Sequence, residues 1–100
     1  MRIDFNWDPA KAASNAAKHG VSFQEAMTVF FDPLARTIPD PDHSADDERW
    51  VTIGEASTGN LLVVVHTWTE MDPYRTAVRI ISARGPTRRE ARQYREEEMP

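Results

Sequence analysis

Seven of the chain's twelve lysine and arginine residues fall between positions 75 and 95: Arg75, Arg79, Arg84, Arg88, Arg89, Arg92 and Arg95. Only Glu90 offsets them there, so the segment carries a formal +6 in a protein whose total is −4. Guanidinium forks match the oxygens of phosphates and carboxylates. The cluster therefore suits a phosphodiester ligand or an acidic partner. Arg79 lies between Val78 and Ile80 in a strand-like run. A guanidinium inside a sheet costs on the order of several kcal/mol unless it is paired or faces a solvated groove. Spacing alone supports two readings equally: an ion pair with Glu48 or Glu55 on a neighbouring strand, or a phosphate ligand.

Further candidates lie outside that segment. Lys18-His19-Gly20 has the form of a helix C-terminus, where cations are favoured by the dipole. The capping role explains both residues, although His19 could also act as a general acid or base. His66 follows the apolar run Leu61–Val65 and reads as a hydrogen-bonded core histidine. His19, His43 and His66 show no metal-ligand spacing. The stretch from Asp40 to Glu48 has Ala45 where a calcium loop needs glycine, and Val51 where it needs the bidentate glutamate. No cofactor-binding motif is present, and no metal is expected.

The elements that must position these residues can be read from periodicity. Ile3, Phe5 and Trp7 alternate, giving a first strand over residues 2–7. Asp8-Pro9 caps a helix that runs to His19 and stops at Gly20. Its apolar positions are alanines (Ala10, Ala13 and Ala17, with Ala12 and Ala16 beside them), and Lys11, Asn15 and Lys18 mark the other face. Ser22-Phe-Gln-Glu25 is a capping box opening a second helix with Phe23, Ala26, Met27 and Phe30 inward. Asp32-Pro33 ends it. Strands follow over Leu34–Pro39, Glu48–Glu55, Leu61–Trp68 and Tyr74–Ala83, with an acidic loop over 40–47 and a turn over Glu70–Pro73. Leu61–Trp68 is apolar on both faces and should be central. Thr87-Arg-Arg-Glu90 is a second capping box, opening a helix to about Glu97. The order β-α-α-β-β-β-β-α predicts an α+β fold, an antiparallel sheet with the helices on one face.

Composition narrows the function classes. One hundred residues suit one domain over 1–100, and 40% hydrophobic content suits a soluble globular chain. There is no cysteine, hence no disulfide frame. No signal-like or membrane-spanning apolar segment is seen, so a cytoplasmic location is expected and no membrane partner. Net acidity argues against nonspecific nucleic-acid binding, but the charge is segregated. Positions 40–55 carry a formal −5, and a local basic site survives within an acidic envelope.

Several motifs, in order along nearly the whole chain, resemble one family. The run from Phe5-Asn-Trp-Asp-Pro through Lys11, Asn15 and Lys18-His19-Gly20 to Phe23 is similar to the N-terminal signature of the BrnT family of type II toxins. Asp47-Glu48-Arg49, Arg79-Ile-Ile-Ser-Ala-Arg84 and Thr87-Arg88-Arg89-Glu90 with Tyr94 match its later motifs. Departures are Ala91, where members often carry arginine, and Gly85-Pro86, where they often carry lysine-alanine. The resemblance implies a RelE-like fold and a ribonuclease that inhibits translation. It also implies a BrnA-type antitoxin, a DNA-binding ribbon-helix-helix protein through which alone operator DNA is bound.

Such a ribonuclease can work without a metal or other cofactor, using the RNA 2′-OH as nucleophile. The chemistry needs a base, an acid and positive charge on the transition state. Arg79 and Arg84 are the candidates for the charge, His19 and Glu48 for acid–base work, with Lys18 and Tyr94 assisting. Lys11, Arg49 and Arg88 are candidates for RNA binding, and Arg92 and Arg95 for antitoxin contact. The competing expectation is a non-catalytic module that acts only within a toxin–antitoxin complex.

Overall fold

A computed structural model describes residues 2–41 and 48–98, with the side chains of Glu97 and Glu98 left aside. Most of the expected acidic loop, His43 and Asp47 therefore lie outside the described residues. The elements are β1 (Arg2–Asn6), α1 (Pro9–His19), α2 (Phe23–Met27), a 3₁₀ turn (Thr28–Phe31), β2 (Arg36–Pro39), β3 (Arg49–Glu55), β4 (Leu61–Thr67), β5 (Thr69–Asp72), β6 (Arg75–Arg84) and α3 (Arg88–Glu98).

The fold is α+β, built on a six-stranded sheet of order β1-β6-β4-β3-β2 with β5 paired to β6. The apolar run of β4 is indeed central. Two details differ from the sequence expectation. The β1–β6 pair is parallel, Phe5 standing opposite Val78, so the sheet is mixed. The segment read as a turn at 70–73 begins with strand β5, which pairs antiparallel with the start of β6. All four of its residues are exposed, so no apolar alternation marked it.

The sheet has two chemically different faces. Toward α1 and α2 it presents Leu62, Val64, Val78, Ile80 and Ala83, which form the core with Phe23, Ala26 and Val29. A β-bulge decides what the other face carries. Val65 pairs with Ser82 but His66 pairs with Ile80, leaving Ile81 as an extra residue on β6. The bulge shifts the alternation, so both Ile80 and Ala83 point inward. Arg79 and Arg84, five positions apart, both fall on the outer face. Strict alternation would have placed them on opposite faces.

The helices are not on one face. Glu90, Gln93 and Tyr94 of α3 meet Ile38, Val51, Ile53 and Val63 of the outer face. Helix α1 also turns differently from its alanine pattern: Ala12 packs on the core and Asn15 is buried, while Ala10, Ala13, Ala16 and Ala17 are exposed. Gly54 shows how closely β3 approaches the 3₁₀ turn. A Cβ there would lie 3.1 Å from both the Val29 carbonyl oxygen and the Ala35 Cβ.

Candidate functional site

The site is best built from β6 outward. On the outer face Arg49 of β3 stands opposite Thr67 of β4. The Thr67 hydroxyl accepts the Arg79 backbone N–H of β6 at 3.3 Å. Arg49, Thr67 and Arg79 thus form a row across three strands. The Arg79 guanidinium is exposed and reaches Asn6 Oδ1 at a long 3.4 Å. Among the described residues no carboxylate pairs with Arg79. The expected ion pair with Glu48 or Glu55 is not formed, because the guanidinium faces solvent instead of a closed interior. Glu48 is exposed and lies beside Arg49 at the entrance to β3.

Arg84 occupies the far end of the same face, opposite Val63. Its guanidinium donates to Glu90 in a bidentate pair, Nη1 to Oε1 at 2.8 Å and Nη2 to Oε2 at 3.0 Å. Glu90 also closes the capping box of α3. It accepts the Thr87 N–H at 2.8 Å, while its own N–H donates to Thr87 Oγ1 at 3.1 Å. The Arg84 hydrogen bonds hold the Glu90 carboxyl at about 2, against partial burial, with the Thr87 N–H adding to the effect. A cleft of about 330 Å³ runs over the outer face between Arg49 and Arg84, floored by Val51 and Val65 and bordered by the buried Asp40.

Tyr94 is buried, and its hydroxyl donates to Asp32 Oδ2. Burial works against the Asp32 charge, but the Glu55 N–H, the Tyr94 hydroxyl and the Leu34 N–H together hold its carboxyl below the usual range. Tyr94 therefore pins α3 to the sheet, and its hydroxyl is spent on that contact. Arg88, Arg92 and Arg95 are exposed along the opposite side of the helix.

His19 and Lys18 are exposed at the end of α1, beside Gly20 in the left-handed conformation at φ 69°. One turn earlier, the Asn15 amide fixes where that helix end lies. Its Nδ2 donates to Ala83 O at 2.8 Å and to Val21 O at 3.1 Å, and its Oδ1 accepts Ala83 N–H at 3.0 Å. Strand β1 stops opposite Arg79, so Asn15 supplies the donor and acceptor that a further strand residue would have given. The α1 end is thereby placed at the Arg84 end of β6. Glu48 lies at the Thr67 end, two strands across. Strand spacing puts these two places about 10 Å apart sideways and about 13 Å apart lengthwise. His19 and Glu48 therefore stand at separate places on the fold, His19 toward the Arg84 end of β6 and Glu48 toward the Thr67 end of β4. Arg79 and Arg84 are likewise about 13 Å apart along the strand. Lys11 is exposed on α1.

His66 is fully buried, as expected for a core residue. Its Nδ1 donates to the Thr67 carbonyl at 2.9 Å, which leaves Nε2 to accept from Thr52 Oγ1 at 2.7 Å. Thr37 completes the chain by bonding Thr52 at 2.7 Å. Burial lowers the imidazole pKa, partly opposed by the Thr67 carbonyl. Among the described residues no group of three or more His, Asp or Glu side chains is placed to hold a metal ion. No helix among them is long and apolar enough to cross a membrane.

Sequence reasoning put Asn15 on the polar face of its helix, although it is buried, and missed Thr67. Asn15 had a signal: it is a weak helix former in the middle of an alanine-rich helix, which asks for a reason. Thr67 had none, since its role depends on strand register.

This α+β fold has a solved counterpart. The crystal structure of the Brucella abortus ribonuclease toxin, BrnT, shares the fold with a TM-score of 0.62 at 22% identity, covering 88% of this chain and 100% of that one. No curated protein matches the chain. Residues 7–90 match the family described as ribonuclease toxin, BrnT, of type II toxin-antitoxin system, and the chain belongs to that family. Membership implies an antitoxin partner.

Proposed function

We propose that the protein is an endoribonuclease that binds RNA across the outer face and cleaves it with the substrate's own 2′-OH, without a metal. The observation that carries this reading is the alignment of Arg49, Arg79 and Arg84 on one face of a protein with net charge −4. The reacting phosphate sits on the Arg49–Thr67–Arg79 row. Glu48, next to Arg49, takes the 2′-OH proton as the 2′-oxygen attacks phosphorus and the P–O5′ bond breaks. The row opens to solvent at Arg79, and solvent there protonates the leaving 5′-oxygen. The two guanidiniums stabilise charge on the phosphorane-like transition state, on the order of 3 kcal/mol each by analogy with oxyanion donors.

Arg84 holds a phosphate further along the strand, and Arg88, Lys18, His19 and Lys11 extend the basic track beyond it. Arg92 and Arg95 are free of packing duties on the solvent side of α3 and suit contact with a BrnA-type antitoxin. The product carries a 2′,3′-cyclic phosphate, and loss of RNA integrity inhibits translation. Purified protein incubated with RNA in EDTA tests the reading: cyclic-phosphate ends appear if it holds, and RNA stays intact if it fails.

The pairing of Arg84 with Glu90 favours a second reading, a non-catalytic module whose basic helix docks an acidic partner. That reading requires intact RNA together with retained antitoxin binding.

A further inference from the structure

The rim of the sheet beside the arginine row carries an aromatic groove that the cleavage chemistry does not use. Trp50 of β3 stands opposite His66, and Trp68 follows β4. Both indoles point to the inner side of the sheet end, Trp68 packing on His66 with ring centroids 6.4 Å apart. They line one groove of about 260 Å³ with Thr37. They also line a wider one of about 600 Å³ that reaches Arg49, Glu48 and Glu70. Both tryptophans stay partly exposed. The same opening thus joins two indole surfaces, an arginine of the phosphate row and a carboxylate, Glu70, that makes no ion pair among the described residues.

That combination fits one ligand chemistry. An unstacked nucleobase gains stacking energy on an indole face. Acidic residues in the groove disfavour a phosphate there but accept hydrogen bonds from a base edge. A carboxylate offers two parallel acceptors, which guanine meets with its N1–H and N2–H₂ donors. Cytosine and adenine offer one such amine, and uracil has no amine. Taking RNA as the substrate, as argued above, we propose that the Trp50–Trp68 groove is a nucleobase subsite. It seats the base next to the phosphate held by Arg49, and Glu70 biases it toward guanine.

Mononucleotides test the subsite without requiring cleavage. Tryptophan fluorescence of the full chain is titrated with 3′-GMP and with 3′-UMP, and the same titrations are made on Glu70→Gln and Trp68→Phe. Glu70 is exposed, so its variant should fold. The expected result is saturable quenching with 3′-GMP about tenfold tighter than 3′-UMP. Glu70→Gln should erase most of that difference, and Trp68→Phe should weaken both nucleotides. Equal affinities, absence of quenching, or an unchanged preference in Glu70→Gln would overturn the proposal. Cleavage of RNA with no guanine preference near the cut also overturns it while leaving the ribonuclease reading intact. Guanine-selective binding without any cleavage supports the subsite and refutes the ribonuclease.

Discussion

Single side chains in this protein are sorted by what their partners leave available. Arg79 and Arg84 look alike in sequence, but Arg79 faces solvent while Arg84 is clamped by Glu90. The clamp has a pH signature. The Glu90 pKa is depressed to about 2 from an ordinary 4.5, so its contribution to stability is complete above pH 4.5 and is lost as the pH falls toward 2. Glu90→Gln should flatten the acid limb of a urea-denaturation series over that window. Asn15 is the other decisive residue. Replacing it with alanine leaves the Ala83 N–H and carbonyl without partners in a buried place. Asn15→Ala should lose about 3 kcal/mol in urea denaturation. Asn15→Asp should be no better, since a carboxylate cannot donate to the Ala83 and Val21 carbonyls. A cost below about 1 kcal/mol in either variant would contradict the strand-substitute role. Residue types made the arginines legible in the sequence. Their availability was not, because it depends on Glu90 reaching back six positions and on an edge that β1 leaves open.

At the level of elements, local signals were reliable where they are local. Asp8-Pro9 and Gly20 bounded α1, and Thr87 with Glu90 capped α3 as read. The Ser22 box formed only by half. Ser22 accepts the Glu25 N–H, but the Glu25 carboxylate turns to Asn60 and Thr58 in the β3–β4 turn. Strand β5 escaped notice because both its faces are wet. The parallel β1–β6 pairing and the bulge at Ile81 depend on long-range register, which periodicity cannot supply. The bulge is what puts Arg79 and Arg84 on one face, so the candidate site was visible as a list of residues but not as a surface. Strand β4 carries a prediction of its own. Burial lowers the His66 pKa below 6.5. A buried neutral histidine gives its full stability above the unfolded-state pKa, and part of it is lost as the pH falls below about 6.5. His66→Gln should remove that slope below about pH 6.5, measured by chemical denaturation. A slope unchanged by the substitution would place its origin elsewhere.

For the whole molecule, charge segregation is the property that links sequence to proposed activity. The chain is acidic in sum, yet its outer face and α3 present arginines while the inner face is closed by the core. Affinity for RNA should then fall with salt, with a slope of roughly −0.7 per phosphate neutralised, and Arg79→Ala should reduce that slope by about one such step. Filter binding at several salt concentrations reads it directly, and a slope unaltered in Arg79→Ala would remove Arg79 from the interface. The family's motifs covered most of the chain and made the class of protein readable from sequence. The division of labour between chemistry, packing and partner contact needed the register of three strands. The central claim is that the Arg49–Thr67–Arg79 row is where RNA is cut. Its most direct test is single-turnover cleavage of RNA in EDTA by the wild type, Arg49→Ala, Arg79→Ala and His19→Ala. The account predicts cyclic-phosphate products from the wild type, a loss of roughly 10²–10³-fold in each arginine variant, and only a small loss in His19→Ala. Arginine variants that cut as fast as the wild type, or a His19 variant that cuts least, would contradict it.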